Sequence, residues 1–400
     1  MRVYQINVVC GSGSTGRIAV DLSKEIESVG GQCRIAYGRG EAPETVDAIK
    51  ISNKFDLYWH ALMTRITDRH GLYSKRATKK LIRDIEEYAP DIIHLHNIHG
   101  YFLNYEILFH FLKIYDKPVV WTMHDCWAFT GHCAHYDSVR CEQWKTQCSR
   151  CPNIKGYPSS INQWNVDYNY RKKKKCFSNV ADLTIVAPSA WLKRQVETSF
   201  FSYAKCKTIH NGIDLTNFRP GESNLQKRIG HEKKMLLGVA SVWTKNKGLE
   251  DFVKLRSMLD DEYVICMIGL SIKQINKMPN GIIAVERTND VEELAQYYAM
   301  ADIFLNLTYE DTFPTTNIEA LACGTPVITY RTGGSPEAIT DSCGVVFEKG
   351  DLEGIVNMIT QSLSKKEFCS AKCVERSRYF EQSLCYHRYI DLYKELLYKQ

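Results

Sequence analysis

The segment Gly11-Ser12-Gly13-Ser14-Thr15-Gly16 has the spacing G-x-G-x-x-G. It stands between an apolar run, Val3 to Cys10, and a helical pattern from about Arg17 to Val29. In that setting the free N–H groups of a helix N-terminus attract an anion, and a dinucleotide pyrophosphate is one such anion. A dinucleotide site also needs a carboxylate at the end of the second strand to hold a ribose hydroxyl. Here the second run, Cys33 to Tyr37, continues into Gly38-Arg39-Gly40, and the first carboxylate is Glu41. The loop keeps the anion-binding physics and loses the nucleoside-specific part. An NAD-dependent oxidoreductase would rest on this loop alone. A tight strand-to-helix turn with no ligand is the plainer alternative.

A second constellation is made of sulfur. Cys126, Cys133, Cys141, Cys148 and Cys151 fall within 26 residues. Cys148 to Cys151 is a C-x2-C knuckle, and with Cys133 and Cys141 it supplies four thiolates, enough for a closed tetrahedral zinc site. His132 and His135 are alternate ligands. Such an ion would be structural and would pin an irregular insertion running from 126 to 158. Buried or free thiols are the alternative. A third constellation is histidine-rich. His124-Asp125 follows the apolar run Pro118 to Thr122, where ligand groups of an α/β sheet gather. His94, His96 and His99 read first as satisfied core histidines, although His96-Asn97 also stands at a strand end.

These residues need elements to carry them. Short apolar runs alternate with helical patterns: Val3 to Cys10, Cys33 to Tyr37, Asp91 to His96, Pro118 to Thr122 and Leu183 to Ala187. The pattern restarts after Asn211 with Met235 to Ala240, Tyr263 to Gly269, Gly281 to Val285, Ile303 to Asn306, Pro326 to Ile328 and Gly344 to Phe347. Alternation of this kind predicts parallel sheets covered by helices, hence two α/β domains. The expected division is 1–215, 216–378 and a closing segment 379–400. A length of 400 residues agrees, since one core rarely grows so large. Hydrophobic residues at 44% and charged residues at 24% exclude a disordered or fibrous chain.

Lys plus Arg is 51 and Asp plus Glu is 46, a net charge of +5, which argues against a dedicated nucleic-acid binder. Basic runs concentrate in the first half, at Lys75-Arg76, Lys79-Lys80 and Arg171 to Lys175. Such runs are usually a solvated face; a one-sided patch can also rest on anionic lipid, so peripheral contact with the inner membrane is an expectation. The fifteen cysteines, an odd number, fit a reducing cytoplasm with mostly free thiols. No signal-peptide pattern and no apolar window of transmembrane length is present.

The second half holds four features in order: Lys247-Gly248; Asp311 and Glu319, separated by seven residues; Gly324-Thr325-Pro326-Val327-Ile328; and Gly333-Gly334-Ser335-Pro336-Glu337. With "VAPSAWLK" from Val186, "HNGIDLTNFRP" from His210 and "FEQSLCYHRYIDLYKELL" from Phe380, they resemble the retaining family 4 glycosyltransferases of the GT-B fold. "HDCWAFTGHC" from His124, with the cysteines after it, is similar to the exopolysaccharide and colanic-acid-type members. The resemblance implies two Rossmann-like domains facing a cleft, with a C-terminal helix crossing back to the first. It implies transfer from a UDP- or GDP-sugar to a lipid-diphosphate-linked or oligosaccharide acceptor of a bacterial surface polysaccharide, such as capsule, O-antigen or exopolysaccharide.

By the same resemblance Lys247 stabilises the leaving diphosphate, so that no catalytic metal is needed, and His124 stands beside the donor sugar. Asp311 lies near the sugar hydroxyls and Glu319 holds the ribose. Gly13, Glu310, Phe313, Pro314, Thr315, Thr316, Gly333 and Gly334 border the donor, and His96, Asn97 and Asp125 the acceptor. Two positions depart from the family pattern. Val242 stands where a second cation is usual, leaving Lys245 or Arg17 as a replacement. Asp311 stands in place of a glutamate, with Glu310 one residue out of register. Thr315 to Asn317 should precede a helix over Ile318 to Cys323, whose N–H groups would meet a phosphate. A GT-B phosphorylase or epimerase, and a non-catalytic zinc-stabilised binding module, are the remaining alternatives.

Overall fold

The computed structural model describes residues 1–221, 233–365 and 368–398. The chain forms two compact units: Met1–His210 with the segment from Cys385 onward, and Asn211–Leu384. In the first unit seven parallel strands make one sheet: β1 (Arg2–Val9), β2 (Gln32–Arg39), β3 (Ala48–Lys50), β4 (Ile92–Leu95), β5 (Val119–Thr122), β6 (Leu183–Ala187) and β7 (Lys205–Thr208). Their order is β3-β2-β1-β4-β5-β6-β7, with Val3 opposite both Cys33 and Ile92. β4, β5 and β6 are buried at every position, as expected of strands covered on both faces. The edge strands β3 and β7 are short and carry lysine, which blunts an exposed edge; that polarity hid them from a search for apolar runs.

After β5 the predicted insertion contains only three single 3-10 turns, Trp127–Phe129, Asp137–Val139 and Gln143–Lys145. The helix Gln382–Leu397 closes the first unit. Tyr386, Tyr389, Ile390, Tyr393 and Leu396 repeat at helical spacing and join Val3, Ile18, Leu22 and Ile92 in one core cluster. The tyrosines also serve as polar anchors: Tyr393 Oη lies 2.6 Å from His94 Nδ1, and Tyr389 Oη 3.1 Å from Thr122 Oγ1. His94 Nε2 meets the same Thr122 hydroxyl at 2.8 Å, so His94 is the satisfied core histidine its position predicts.

The second unit repeats the plan with six parallel strands: β8 (Lys234–Val239), β9 (Tyr263–Ile268), β10 (Ile282–Val285), β11 (Ile303–Asn306), β12 (Val327–Tyr330) and β13 (Gly344–Phe347). Their order is β10-β9-β8-β11-β12-β13. In each sheet the order reverses beside the first strand, between β1 and β4 and between β8 and β11. Chains leaving the carboxyl ends of those strands diverge there and open a crevice, where ligands of such sheets bind.

Candidate functional site

In the second unit the β8 and β11 exits carry the predicted cation and acid. Thr244 Oγ1 accepts from the Lys247 N–H at 3.3 Å, which closes a 3-10 turn over Lys245–Lys247. Gly248 ends that turn at φ +80°, and a Cβ there would stand 2.3 Å from the Leu307 carbonyl oxygen. Only glycine lets this turn lie on the chain leaving β11. The two exits are then stitched together: Tyr309 N–H and Thr308 Oγ1 donate to Asn246 O at 2.8 and 3.2 Å, and Asn246 Nδ2 donates to Glu310 Oε2 at 2.8 Å. The result is that Lys247 Nζ donates to Asp311 Oδ2 at 2.9 Å and to Glu310 O at 3.5 Å.

Lys247 and Asp311 remain 40% and 21% exposed. An ion pair so open to water is worth about 0–1 kcal/mol. A diphosphate, with more charge and more acceptor oxygens, can take the ammonium from Asp311 at small cost. Gly333 adjoins the pair. At φ +51° its added Cβ would lie 1.7 Å from Asp311 O, and the Gly334 N–H donates to Thr312 O at 3.1 Å. The two loops touch main chain to main chain here, which only glycine allows.

Other predicted donor residues take different places. Helix Thr315–Ala322 begins three residues earlier than expected: Pro314, extended at φ −72°, stands at the N-cap position without a side-chain cap, where its missing N–H costs no helical hydrogen bond, and Thr315 enters directly. Asn317 is therefore inside the helix, where its side chain accepts from Asn306 Nδ2 at 2.7 Å and donates to Ser335 O at 3.3 Å. Glu319 is buried and accepts from Tyr298 Oη at 2.9 Å, a partner the sequence did not announce. Phe313 does not offer its ring to a ligand; it is buried against Phe380, centroids 5.6 Å apart, and so holds the loop. Lys245 pairs with Glu250 at 3.6 Å and is 80% exposed, so it does not join Asp311 as a second cation. Glu310 contributes its carboxylate to Asn246 and its carbonyl to Lys247.

In the first unit a chain of hydrogen bonds runs outward from the core. Gln5 Nε2 donates to Ala19 O at 2.9 Å, which turns Gln5 Oε1 toward His96 Nε2 at 2.8 Å. His96 Nε2 must then carry the proton, and its Nδ1 accepts from His124 Nε2 at 3.1 Å. Both imidazoles are held neutral. Burial, with His94 and His124 nearby, keeps His96 well below the ordinary range. Burial also lowers His124 to about 4, although Asp125 pulls the other way. His96 is thus buried behind His124 with both ring nitrogens engaged, and does not border an acceptor as expected.

Asp125 is likewise committed. Its Oδ2 lies 2.7 Å from His99 Nε2 and its Oδ1 accepts from the Trp127 N–H at 2.9 Å. Burial alone would raise its pKa, but the charge and hydrogen bond of His99 outweigh burial and bring it to about 2. His99 Nδ1 meets Tyr157 Oη at 3.2 Å. A cavity of about 520 Å³ opens at the β1–β4 reversal, bordered by Gly13, Thr15, Arg39, Asn97, His99 and Tyr157. Gly13 and Asn97 both border it. Arg17 is exposed on helix Gly13–Ser28 near Tyr386 and does not border the cavity. The cation there is Arg39. It is the middle residue of Gly38-Arg39-Gly40, at the strand end where a dinucleotide site would carry a carboxylate.

All fifteen cysteines are free thiols. Cys133, Cys141, Cys148 and Cys151 line a second cavity of about 10 Å³ together with His132. His132 Nδ1 lies 2.5 Å from buried Asp68 Oδ1, and its buried Nε2 has no hydrogen-bond partner. A hydrogen bond from Cys133 lowers Cys151 to about 7 against the effect of burial. Among the described residues no three Cys, His, Asp or Glu side chains already stand close enough to hold a metal ion. Nearby, Lys173 Nζ is buried, donates to Trp127 O and Thr130 O at 2.7 and 3.1 Å, and sits 3.6 Å from the Trp127 ring centroid. The run Arg171 to Lys175 is therefore not one cationic face: Lys173 points inward, Arg171 pairs with Asp167 and Lys172 with Glu106.

The sequence matches the family "Glycosyltransferase Family 4" over residues 15–217 and "Glycosyl transferases group 1" over residues 222–378. The Escherichia coli K12 protein WcaC, named as a colanic acid biosynthesis glycosyl transferase, is 24% identical over 419 residues, spanning 99% of this chain and 100% of WcaC. Sucrose-phosphate synthase from Thermosynechococcus elongatus superimposes with a TM-score of 0.75 at 16% identity, over all of both chains. Anabaena HepE, solved in complex with UDP, superimposes with a TM-score of 0.71 at 14% identity, over 99% of this chain and 100% of HepE. The two parallel-sheet units, the ordered motifs and these likenesses agree: the chain belongs to glycosyltransferase family 4 and has the GT-B fold.

Proposed function

We propose that the protein is a retaining glycosyltransferase that moves a sugar from a UDP- or GDP-sugar to a lipid-diphosphate-linked or oligosaccharide acceptor during synthesis of a bacterial surface polysaccharide. The observation that carries this is the Lys247–Asp311 pair, held at 2.9 Å at the switch point of the second sheet. Departure of the nucleoside diphosphate leaves the bonding electron pair on its terminal phosphate, adding one negative charge to the two the diphosphate already carries. Lys247 offsets that charge as it develops, and the freed Asp311 carboxylate is then available to the sugar hydroxyls. In the retaining course the leaving phosphate takes the acceptor proton, and His124, held neutral, positions the sugar without acting as base. The name of WcaC and the UDP bound to HepE support the polysaccharide and nucleotide-sugar parts of the proposal. Among the described residues no helix is long and apolar enough to cross a membrane; the reaction is proposed for the cytoplasm, at the inner membrane face.

A panel of ligands on the melting curve tests the donor. A ligand at 100 times its dissociation constant adds about 2.7 kcal/mol. UDP, GDP or one of their sugars should raise the melting temperature, and NAD should not. A shift with NAD alone would return the glycine loop to the oxidoreductase reading.

We also propose a structural zinc ion in the insertion. Cys133, Cys141, Cys148, Cys151 and His132 line one small cavity, and the buried His132 Nε2 has no hydrogen-bond partner. Cys133, Cys148 and Cys151 would hold the ion with His132 or Cys141. The Asp68 carboxylate behind His132 Nδ1 is the support a zinc-binding imidazole uses. The thiols would have to turn inward to close on it.

A further inference from the structure

Helix Lys54–Thr67 is amphipathic the wrong way round. The side chains it buries are His60 and Thr64. His60 is fixed by Ser74 Oγ at 2.8 Å and accepts from the Gly71 N–H at 3.2 Å. Phe55, Tyr58, Trp59, Leu62 and Ile66 fall at i, i+3, i+4, i+7 and i+11, so they share one face, and all are exposed, Phe55 and Tyr58 by 74% and 76%. A loop extends this stripe. Ser160 Oγ and the Ile161 N–H donate to Arg65 O at 3.2 and 3.1 Å, and Asn165 Nδ2 to Thr67 O at 2.6 Å. Fastened in this way, the loop sets Ile161 and Trp164, exposed by 78% and 85%, beside the helix end.

Leaving so much apolar surface in water forfeits about 25 cal/mol per Å², and a contiguous patch marks a contact surface. The composition says which. Trp, Tyr and Phe combine apolar bulk with polar edges suited to a headgroup boundary. Lys54 and Arg65 are exposed on the same helix and Arg69, Lys75 and Arg76 are exposed in the chain that follows it, against a single acid on the helix, Asp56. Apolar rings with a cationic border match an anionic bilayer surface rather than a second copy of this face, whose charges would repel.

We propose that the helix Lys54–Thr67 and the loop at Ile161–Trp164 dock the protein on an anionic lipid bilayer, with the helix lying in the membrane interface. The contact is thereby moved from the Arg171 to Lys175 run, which the structure divides. Vesicle binding needs neither donor nor acceptor, so its failure leaves the transferase proposal standing. The experiment is co-sedimentation of the full chain with vesicles of phosphatidylglycerol and phosphatidylethanolamine, against phosphatidylcholine alone. The triple substitution Trp59→Ser, Leu62→Ser and Trp164→Ser should lower partitioning about tenfold or more and leave the melting curve in place. Arg171→Gln with Lys175→Gln should leave partitioning unchanged. Absence of binding by the parent protein, or equal partitioning of the triple variant, overturns the proposal. So does a concentration-dependent dimer in sedimentation without lipid that the triple substitution abolishes, which would assign the face to a second copy.

Discussion

Lys247 and Asp311 lie 64 positions apart and meet at 2.9 Å because two loops leave one switch point and are stitched by Asn246. Their identities were legible from order and spacing. Their pairing was not, since it depends on β8 and β11 being neighbours. Lys247→Met and Asp311→Asn should each reduce glycosyl transfer by about 10²–10³-fold, the usual effect of removing one group that stabilises developing charge. The melting temperature should hardly move, because an exposed pair contributes about 0–1 kcal/mol. Parallel kinetics and melting curves separate the two effects: full activity in either variant, or collapse of the fold, removes the pair from the chemistry. The histidines teach the opposite lesson. His96 and His124 stand at two strand ends and read alike, yet only Gln5, on a third strand, determines that one supports the other.

At the scale of elements, two sequence runs changed meaning. Five consecutive basic residues, Arg171 to Lys175, look like a patch in a linear reading. On a helix of 3.6 residues per turn they must spread around the axis, and Lys173 turns into the core. The cysteines of the insertion did the reverse. Spaced irregularly in sequence, four of them reach one cavity, because the insertion has no ladder of its own and folds onto helix Val166–Phe177 and buried Asp68. Purified protein should carry about one zinc per chain by elemental analysis, and His132→Ala or Cys148→Ser should lower both zinc content and melting temperature. Metal-free protein whose melting is unchanged by a chelator would refute the ion and leave the thiols as plain core.

The whole molecule stores a dependence on pH in its first unit. Burial is the leading cause that lowers His60 and His94 to about 3 and His124 to about 4, and it holds His70 and His96 well below the ordinary range. Unfolding returns each to about 6.5. These depressed values favour the folded state above pH 6.5, and the contribution is lost as pH falls through that value toward 4 and 3. Each histidine adds a slope of at most about 1.4 kcal/mol per pH unit. Melting curves near neutrality, at about pH 5.5 and at about pH 4.5 should show a steep fall in stability, reduced in His94→Gln. A flat profile across that window would mean the buried histidines take up protons without opening the fold.

Local choices are written in the residues: apolar runs that become β1, β2, β4 to β6 and β8 to β13, glycines where loops must turn left-handed, and the motif order that marks the family. Those depend on neighbours in the chain, so spacing records them. Strand order and burial set the rest: that Lys247 meets Asp311, that Arg39 and not Arg17 borders the first cavity, that Phe313 holds a loop and Lys173 a core. They also left the apolar face of helix Lys54–Thr67 outward. Periodicity can show that such a face exists, but only the packing of His60 and Thr64 inward shows which side of the helix is turned to solvent.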